Sequence, residues 1–227
     1  MAQSTTDGIV IPMPLPVPHT PEIPDPPTAA QPAYAGRKVA IYWDFTNVIV
    51  SRYGAVHGKD SWQTAAKTGT PAERKARYRA ARLDIQAVVS VFAGARIVVH
   101  RAYSDWSSPW SSGYATPIQR HAIDAIQVFP VAGAKNGADM RLTIDAVEDL
   151  HAHGEITDVV VVSGDSDFMP LVQHCRRQSR FFTVIGSRGH TSRQLAAVAD
   201  HTIFYDDLAP VALCDTPGVD QRNGGAA

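Results

Sequence analysis

The ten residues VVVVSGDSDF, 159–168, decide how this chain is read. Four consecutive valines with no polar alternation describe a strand covered on both faces, as in the middle of a parallel sheet. Two carboxylates, Asp165 and Asp167, follow that strand at once. In an open α/β sheet the ligand site lies beyond the carboxyl ends of the strands. The polar residues just after every other strand therefore decide whether these two aspartates act alone.

Outward from this run, short β-branched segments alternate with helical patterns from Arg37 onward, which is the signature of βαβ units and an α/β fold with a mainly parallel central sheet. Strands are expected at Lys38 to Trp43, Arg96 to Tyr103, Ile126 to Val131, Asp158 to Val162, Phe181 to Ile185 and Thr202 to Tyr205. The clearest helix opens at Thr70-Pro71-Ala72-Glu73, where Thr70 caps, Pro71 suits the first turn and Glu73 completes a capping box. It is expected to run to about Phe92 and stop at Gly94. Further helices are expected at Pro117 to Asp124, Asp139 to His151, Ser166 to Ser179 and Thr191 to Val198. The polar, Gly-containing stretch between Asn47 and Thr70 reads as a long loop or irregular insertion.

Composition narrows the classes. The chain has 227 residues, 44% of them hydrophobic and 19% charged, enough for one packed domain. A net charge of −1 supplies no bulk field for a polyanion, so nucleic-acid binding must rest on local patches. Cys175 and Cys214 stand far apart with no metal-site spacing, which argues against a disulfide framework or zinc and for a cytoplasmic protein. No apolar run is long enough to cross a membrane. Nine of the sixteen prolines precede Gly36, so residues 1–36 read as a disordered, extended tail outside any sheet or helix. Its IVIPMPLPVP run could dock on a protein partner with an aromatic groove. Residues 37–209 are the expected domain, and 210–227 a flexible C-terminal tail.

Four places at the expected strand ends carry carboxylates: Asp44 in DFTN, Asp105 in YSD, Asp139 at the start of the helix after the third strand, and the Asp165/Asp167 pair. Each has a plain alternative. Asp165 or Ser166 could cap a helix, Asp139 could sit at a positive helix N-terminus, and Asp44 could order a turn. Together they would repel one another unless a proton or cation compensates, and a hard divalent ion with oxygen ligands is the natural compensator.

The segments that carry these residues also resemble a known family. VAIYWDFTNV is similar to the opening motif of the NYN domain, KNGADMRLTIDAVEDL to its second, VVVVSGDSDFMPLVQHCRRQ to its third, and SRQLAAVADHTIFYDDL to its last helix and strand. The resemblance spans roughly 38 to 208 and is greatest to the bacterial LabA/DUF88 group. It implies a three-layer α/β/α PIN-like (Rossmann-like) fold and metal-dependent cleavage of RNA. Asp44, Asn47, Asp139, Asp165 and Asp167 then correspond to the acidic pocket, in which Asp44, Asp139 and Asp165 hold Mg²⁺ or Mn²⁺ and Asn47 orients water or a phosphate oxygen. Asp145 matches a family position as a further metal ligand. At ~100° per residue it stands about 120° around its helix from Asp139, so both serve one ion only if Asp139 lies at an irregular helix start.

An RNA enzyme must also hold its substrate. Arg74, Lys75, Arg77, Arg79 and Arg82, with Tyr78 among them, form either a phosphate track or the solvated face of an amphipathic helix. Lys135, Arg188 and Arg193 are candidates for the rim of the pocket, Ser163 is a further candidate to bind the nucleic acid, and Trp106 and Trp110 are candidates to stack on bases. The rival reading is a non-catalytic PIN-like module that binds RNA or protein. A phosphatase of similar topology fits less well, because Asp44 is followed two residues on by Thr46 rather than a second aspartate.

Overall fold

All five residues of Asp158–Val162 are buried, as an uninterrupted valine run requires. The structure, a computed structural model, describes residues 34–129 and 137–208. Nearly all of the two expected tails, Lys135, Cys214 and the end of the expected third strand lie outside the described residues.

Among the described residues six strands form one parallel sheet: β1 (Lys38–Asp44), β2 (Arg96–Ser104), β3 (Asp124–Gln127), β4 (Asp158–Val162), β5 (Phe181–Gly186) and β6 (His201–Phe204), in the order β3-β2-β1-β4-β5-β6. The chain walks from β1 to β3 toward one edge and from β4 to β6 toward the other. The order therefore reverses between β1 and β4, and the carboxyl ends of those two strands flank the crevice where such sheets bind ligands.

The connecting helices are α1 (Phe45–His57), α2 (Ser61–Ala65), α3 (Pro71–Ala80), α4 (Ile85–Val91), α5 (Pro109–Ser112), α6 (Ala115–Arg120), α7 (Gly137–Ala152), α8 (Met169–Arg177), α9 (Arg193–Val198) and α10 (Tyr205–Leu208). Alternation along β1 separates two cores. Val39, Ile41 and Trp43 pack with Val48 of α1, Val88 of α4 and Tyr205 of α10. Ala40 and Tyr42 pack with Leu142 and Ala146 of α7, Leu171 of α8 and Leu195 of α9. The result is the expected three-layer α/β/α arrangement.

Several boundaries differ from those expected, each for a tertiary reason. The stretch read as a loop between Asn47 and Thr70 contains most of α1 and all of α2. Its polar and glycine positions are helical because of what they meet: Arg52 pairs with Asp206 and lies over the Tyr205 ring, and a Cβ on Gly54 would stand 2.8 Å from the His190 ring. The capping box at Thr70 forms, but the single helix expected to reach Phe92 is two. Between α3 and α4 the Leu83 and Asp84 amides donate to the hydroxyls of Tyr114 (2.8 Å) and Tyr205 (2.6 Å), and Asp84 caps a fresh helix. The helix expected to reach Asp124 ends at Arg120, because Ala122 is left-handed (φ 49°). The third strand accordingly starts at Asp124, two residues early. The first turn at Ser166–Phe168 is a 3₁₀ turn that leads into α8. Tyr34, within the stretch read as tail, is buried against Phe92 and hydrogen-bonds Thr183. Among the described residues no helix is long and apolar enough to cross a membrane.

The base of the central strand pair is held by charge. Arg37 Nη1 donates to Asp158 Oδ1 at 2.6 Å, with the Asp158 side chain fully buried, and the Thr157 hydroxyl donates to its other oxygen. Removing one partner leaves an uncompensated buried charge, whereas removing both does not. Asp158→Ala is expected to destabilise the protein by about 3–5 kcal/mol, and Arg37→Met combined with Asp158→Leu by distinctly less. Urea unfolding of the two variants checks this; equal losses would show that the pair contributes little beyond packing.

Candidate metal centre at the carboxyl edge of the sheet

Asp44 is the last residue of β1 and the N-cap of α1, a position that turns its carboxylate back toward the sheet edge. It is 3% exposed. One oxygen accepts from the Asn47 backbone amide (3.3 Å) and the other from the Ser163 hydroxyl (3.1 Å). Asp139, in the first turn of α7, lies close enough to act on it directly, an approach that two carboxyl groups sustain when a shared proton or a cation offsets their repulsion. Burial first, and then the Asp139 charge, push the Asp44 carboxyl up to about 8. Asp139 is raised as well, first by burial and then by the charge of Asp165.

Asp165 and Asp167 arrive from the other side of the crevice. The chain leaves β4 at Ser163, whose oxygen accepts from the Asp165 amide (3.2 Å) while its hydroxyl reaches Asp44. One buried serine thus ties the end of β1 to the loop after β4. Asp165 then caps the 3₁₀ turn by accepting from the Asp167 amide (3.1 Å). Between them Gly164 has no room for a side chain, since a Cβ there would lie 2.5 Å from the His190 carbonyl. Its own carbonyl accepts from Ser192 (2.8 Å), which holds the 187–192 loop against the site.

Carboxylate oxygens of Asp139, Asp165 and Asp167 all lie within 4.8 Å of one another. A divalent cation with oxygens at about 2.0–2.6 Å holds its ligands about 3–5 Å apart, so this set fits one hard ion. The burial and mutual repulsion that raise the Asp44 and Asp139 carboxyls are what a bound cation would offset. Asn47 stands beside the cluster, its side-chain oxygen accepting from the Ser51 hydroxyl (3.3 Å) and facing the Gly164 amide (3.5 Å). That leaves its NH₂ to donate.

The other candidates are placed elsewhere. Asp145 is buried on a different side of α7, where it accepts from the Tyr103 hydroxyl (2.9 Å) and pairs with Arg141 (2.8 Å); the 120° separation along the helix takes it out of the cluster. Asp105 orders its own turn through Ser107 and Gln127. Arg188 is paired with Asp207 (2.6 Å) and lies over the Phe204 ring, and Arg193 is exposed at the start of α9. Arg77 turns inward to the Tyr53 hydroxyl and the Thr68 carbonyl, while Arg74 bonds the Gly69 carbonyl. Trp106 anchors its loop through the Ile126 carbonyl and the Phe45 ring. Sequence reasoning missed a hollow of about 510 Å³ against Asp139 and Asp167, walled by Met140, Thr143, Ile144 and Pro170. Met140 and Ile144, 65% and 52% exposed, are one helical turn apart, and that spacing was the signal available.

The electrostatics give a pH dependence. A carboxyl whose pKa rises from 3.8 unfolded to about 8 folded binds its proton more tightly in the folded state, so its stabilising contribution is complete below about pH 4 and is lost as pH rises toward 8. In EDTA, wild-type stability relative to Asp44→Asn is therefore expected to fall between about pH 4 and 8, and Mg²⁺ is expected to remove most of that fall. Urea midpoints of both proteins across this range test it; parallel pH profiles would mean that Asp44 ionises without strain.

The comparisons with known proteins bear on the family and the fold. The NYN domain model matches residues 38–206. No curated protein matches the chain. Among solved structures it is similar to a protein of unknown function from Vibrio parahaemolyticus at 23% identity and a TM-score of 0.55, over 76% of this chain and 94% of that one, which shows a shared fold. With the family's segments matched from β1 to the start of α10, the chain belongs to the NYN domain family of the PIN-like superfamily.

Proposed function

We propose that this protein is a Mg²⁺- or Mn²⁺-dependent ribonuclease that hydrolyses RNA phosphodiester bonds at the acidic cluster. The observation that carries the reading is the convergence of Asp139, Asp165 and Asp167 within 4.8 Å, with the buried Asp44 behind them at the switch point of the sheet. A module that only bound RNA would gain nothing from such a pocket, since uncompensated carboxylates repel phosphate. The NYN family is nuclease-like and generally binds RNA, which supports the same substrate class.

An ion held by Asp139, Asp165 and Asp167, and by Asp44 once deprotonated, supplies when bound a positive charge for the phosphate oxygens and a more acidic water as nucleophile. The protein's own groups do the positioning. Ser163 fixes Asp44 and the Asp165 backbone at once, so the two halves of the crevice keep a constant spacing. The Asn47 NH₂ donates toward the attacking water or a phosphate oxygen without adding negative charge, as a neutral residue at this place should. The Thr46 hydroxyl, two residues from Asp44 and bonded to Ser104 (3.1 Å), is exposed on the same edge. Packing of the His190 carbonyl over Gly164 keeps the acidic turn from relaxing outward under its own repulsion.

Cleavage of a labelled single-stranded RNA in Mn²⁺, Mg²⁺ or EDTA, by wild type and by Asp165→Asn and Asp44→Asn purified identically, tests the reading. Wild type is expected to give products only with the metal. Each variant is expected to lose ~10²-fold or more in rate, several kcal/mol of charge stabilisation, with its melting temperature unchanged or raised. Products that persist in the variants, or RNA bound without cleavage by wild type, would replace the nuclease with a binding module.

A further inference from the structure

A groove of about 690 Å³ lies along α3, α5 and the flank of α1, and none of its lining residues belongs to the acidic cluster. Its walls carry Tyr78 and Trp110, and its rim Arg74, Lys75, Arg79 and Arg82. Trp110 is 37% exposed, with Trp62 standing edge-on against it at 5.4 Å, so the indole is held in place while part of it faces solvent. Among the described residues none of the four rim cations forms an ion pair. Arg74 and Arg82 are instead oriented by carbonyls, those of Gly69 (2.6 Å) and Gly113 (2.8 Å), which fix a guanidinium without cancelling its charge. In a chain of net charge −1, these four cations around the exposed Trp110 and the half-buried Tyr78 are a local concentration.

The turn that carries Trp110 is fixed relative to the end of β1 by a chain of hydroxyls whose three serines are buried. Thr46 bonds Ser104 (3.1 Å), Ser104 bonds Ser111 (2.8 Å), and Ser111 bonds Ser108 (2.8 Å). One end of this chain, Thr46, is two residues from Asp44 and the other, Ser108, is two residues from Trp110. The geometry points to a second nucleic-acid site: the groove takes the unpaired bases of a single-stranded RNA on Trp110 and Tyr78 and its phosphates on Arg74, Lys75, Arg79 and Arg82, while a neighbouring stretch of the same strand enters the acidic cluster. This rests on the nuclease reading for the role of the cluster but is tested by binding alone. Stacking on aromatic rings tolerates any base, and the cations follow the backbone, so the site holds unpaired RNA without reading its sequence.

The test is fluorescence anisotropy of a labelled oligouridylate and of an RNA duplex of equal length, using the full chain carrying Asp165→Asn in Mg²⁺. Adding Trp110→Ala is expected to weaken single-strand binding about tenfold, the worth of one stacked base, and to leave duplex binding unchanged. Lys75→Glu with Arg79→Glu, both on the exposed face of α3, is expected to lower the slope of log affinity against log salt by about 1.4, because two phosphates are no longer neutralised. Variants that bind like the parent overturn the proposal even if the protein cleaves RNA, and the expected losses uphold it even if it does not. Residues 1–33 contain Asp7, Glu22 and Asp25, no Lys or Arg, and many prolines. Deleting them is expected to keep the dependence on Trp110, and single-strand binding that loses this dependence once the segment is gone overturns the assignment of the groove to RNA.

Discussion

Asp44 and Asp139 face each other at the reversal point of the sheet, one carboxyl buried at the end of a hydrophobic strand and the other at the start of a helix. Like charges at this range in a poorly solvated crevice cannot both persist without compensation. The surrounding structure is arranged around that constraint. Ser163 and the Asn47 amide donate to Asp44, the first turns of α1 and α7 direct their positive ends toward the carboxylates, and the β5–α9 loop closes over Gly164. A site that stays assembled despite repulsion is suited to holding a cation, since the organisation is already in place before the ion arrives.

The sheet supplies the rigidity this requires. β1 and β4 are paired to each other and to a further strand on their outer sides, and both faces are covered by helices. Asp44 and the Ser163–Asp167 turn therefore project from the most constrained part of the molecule. The groove beside them is built differently, from short helices and an aromatic cluster of Tyr53, Trp62, Tyr78 and Trp110. Such a division matches the two tasks proposed for them: chemistry needs fixed geometry, whereas sequence-tolerant binding needs charge and aromatic surface.

The parts legible in advance were those governed by local rules. The valine run with its following aspartates, the Thr70 capping box, and the alternation of β1 all depend on neighbours in sequence, and the structure follows them. What was illegible depended on distant parts of the chain. α1 continues through Gly54 because His190 packs on that glycine. The single helix read from Thr70 to Phe92 is interrupted where Tyr114 and Tyr205 take up two backbone amides. The partners of Arg77 and Arg188, the Tyr53 hydroxyl and Asp207, were equally hidden, because sequence shows a charge but not what it meets.

By itself the sequence determined the α/β class, the order of the strands along the chain and the residue types of the acidic cluster, because hydrophobic period and capping chemistry act over a few residues. The tertiary structure alone decided which aspartates meet. Asp145 and Asp139 share one helix yet face different neighbours, while Asp44 and Asp165, more than a hundred residues apart in sequence, are bridged by the single hydroxyl of Ser163. The physical reason is that a carboxylate's role depends on the direction in which its backbone turns it and on the charges it meets there, and both are properties of the packed sheet rather than of any one segment.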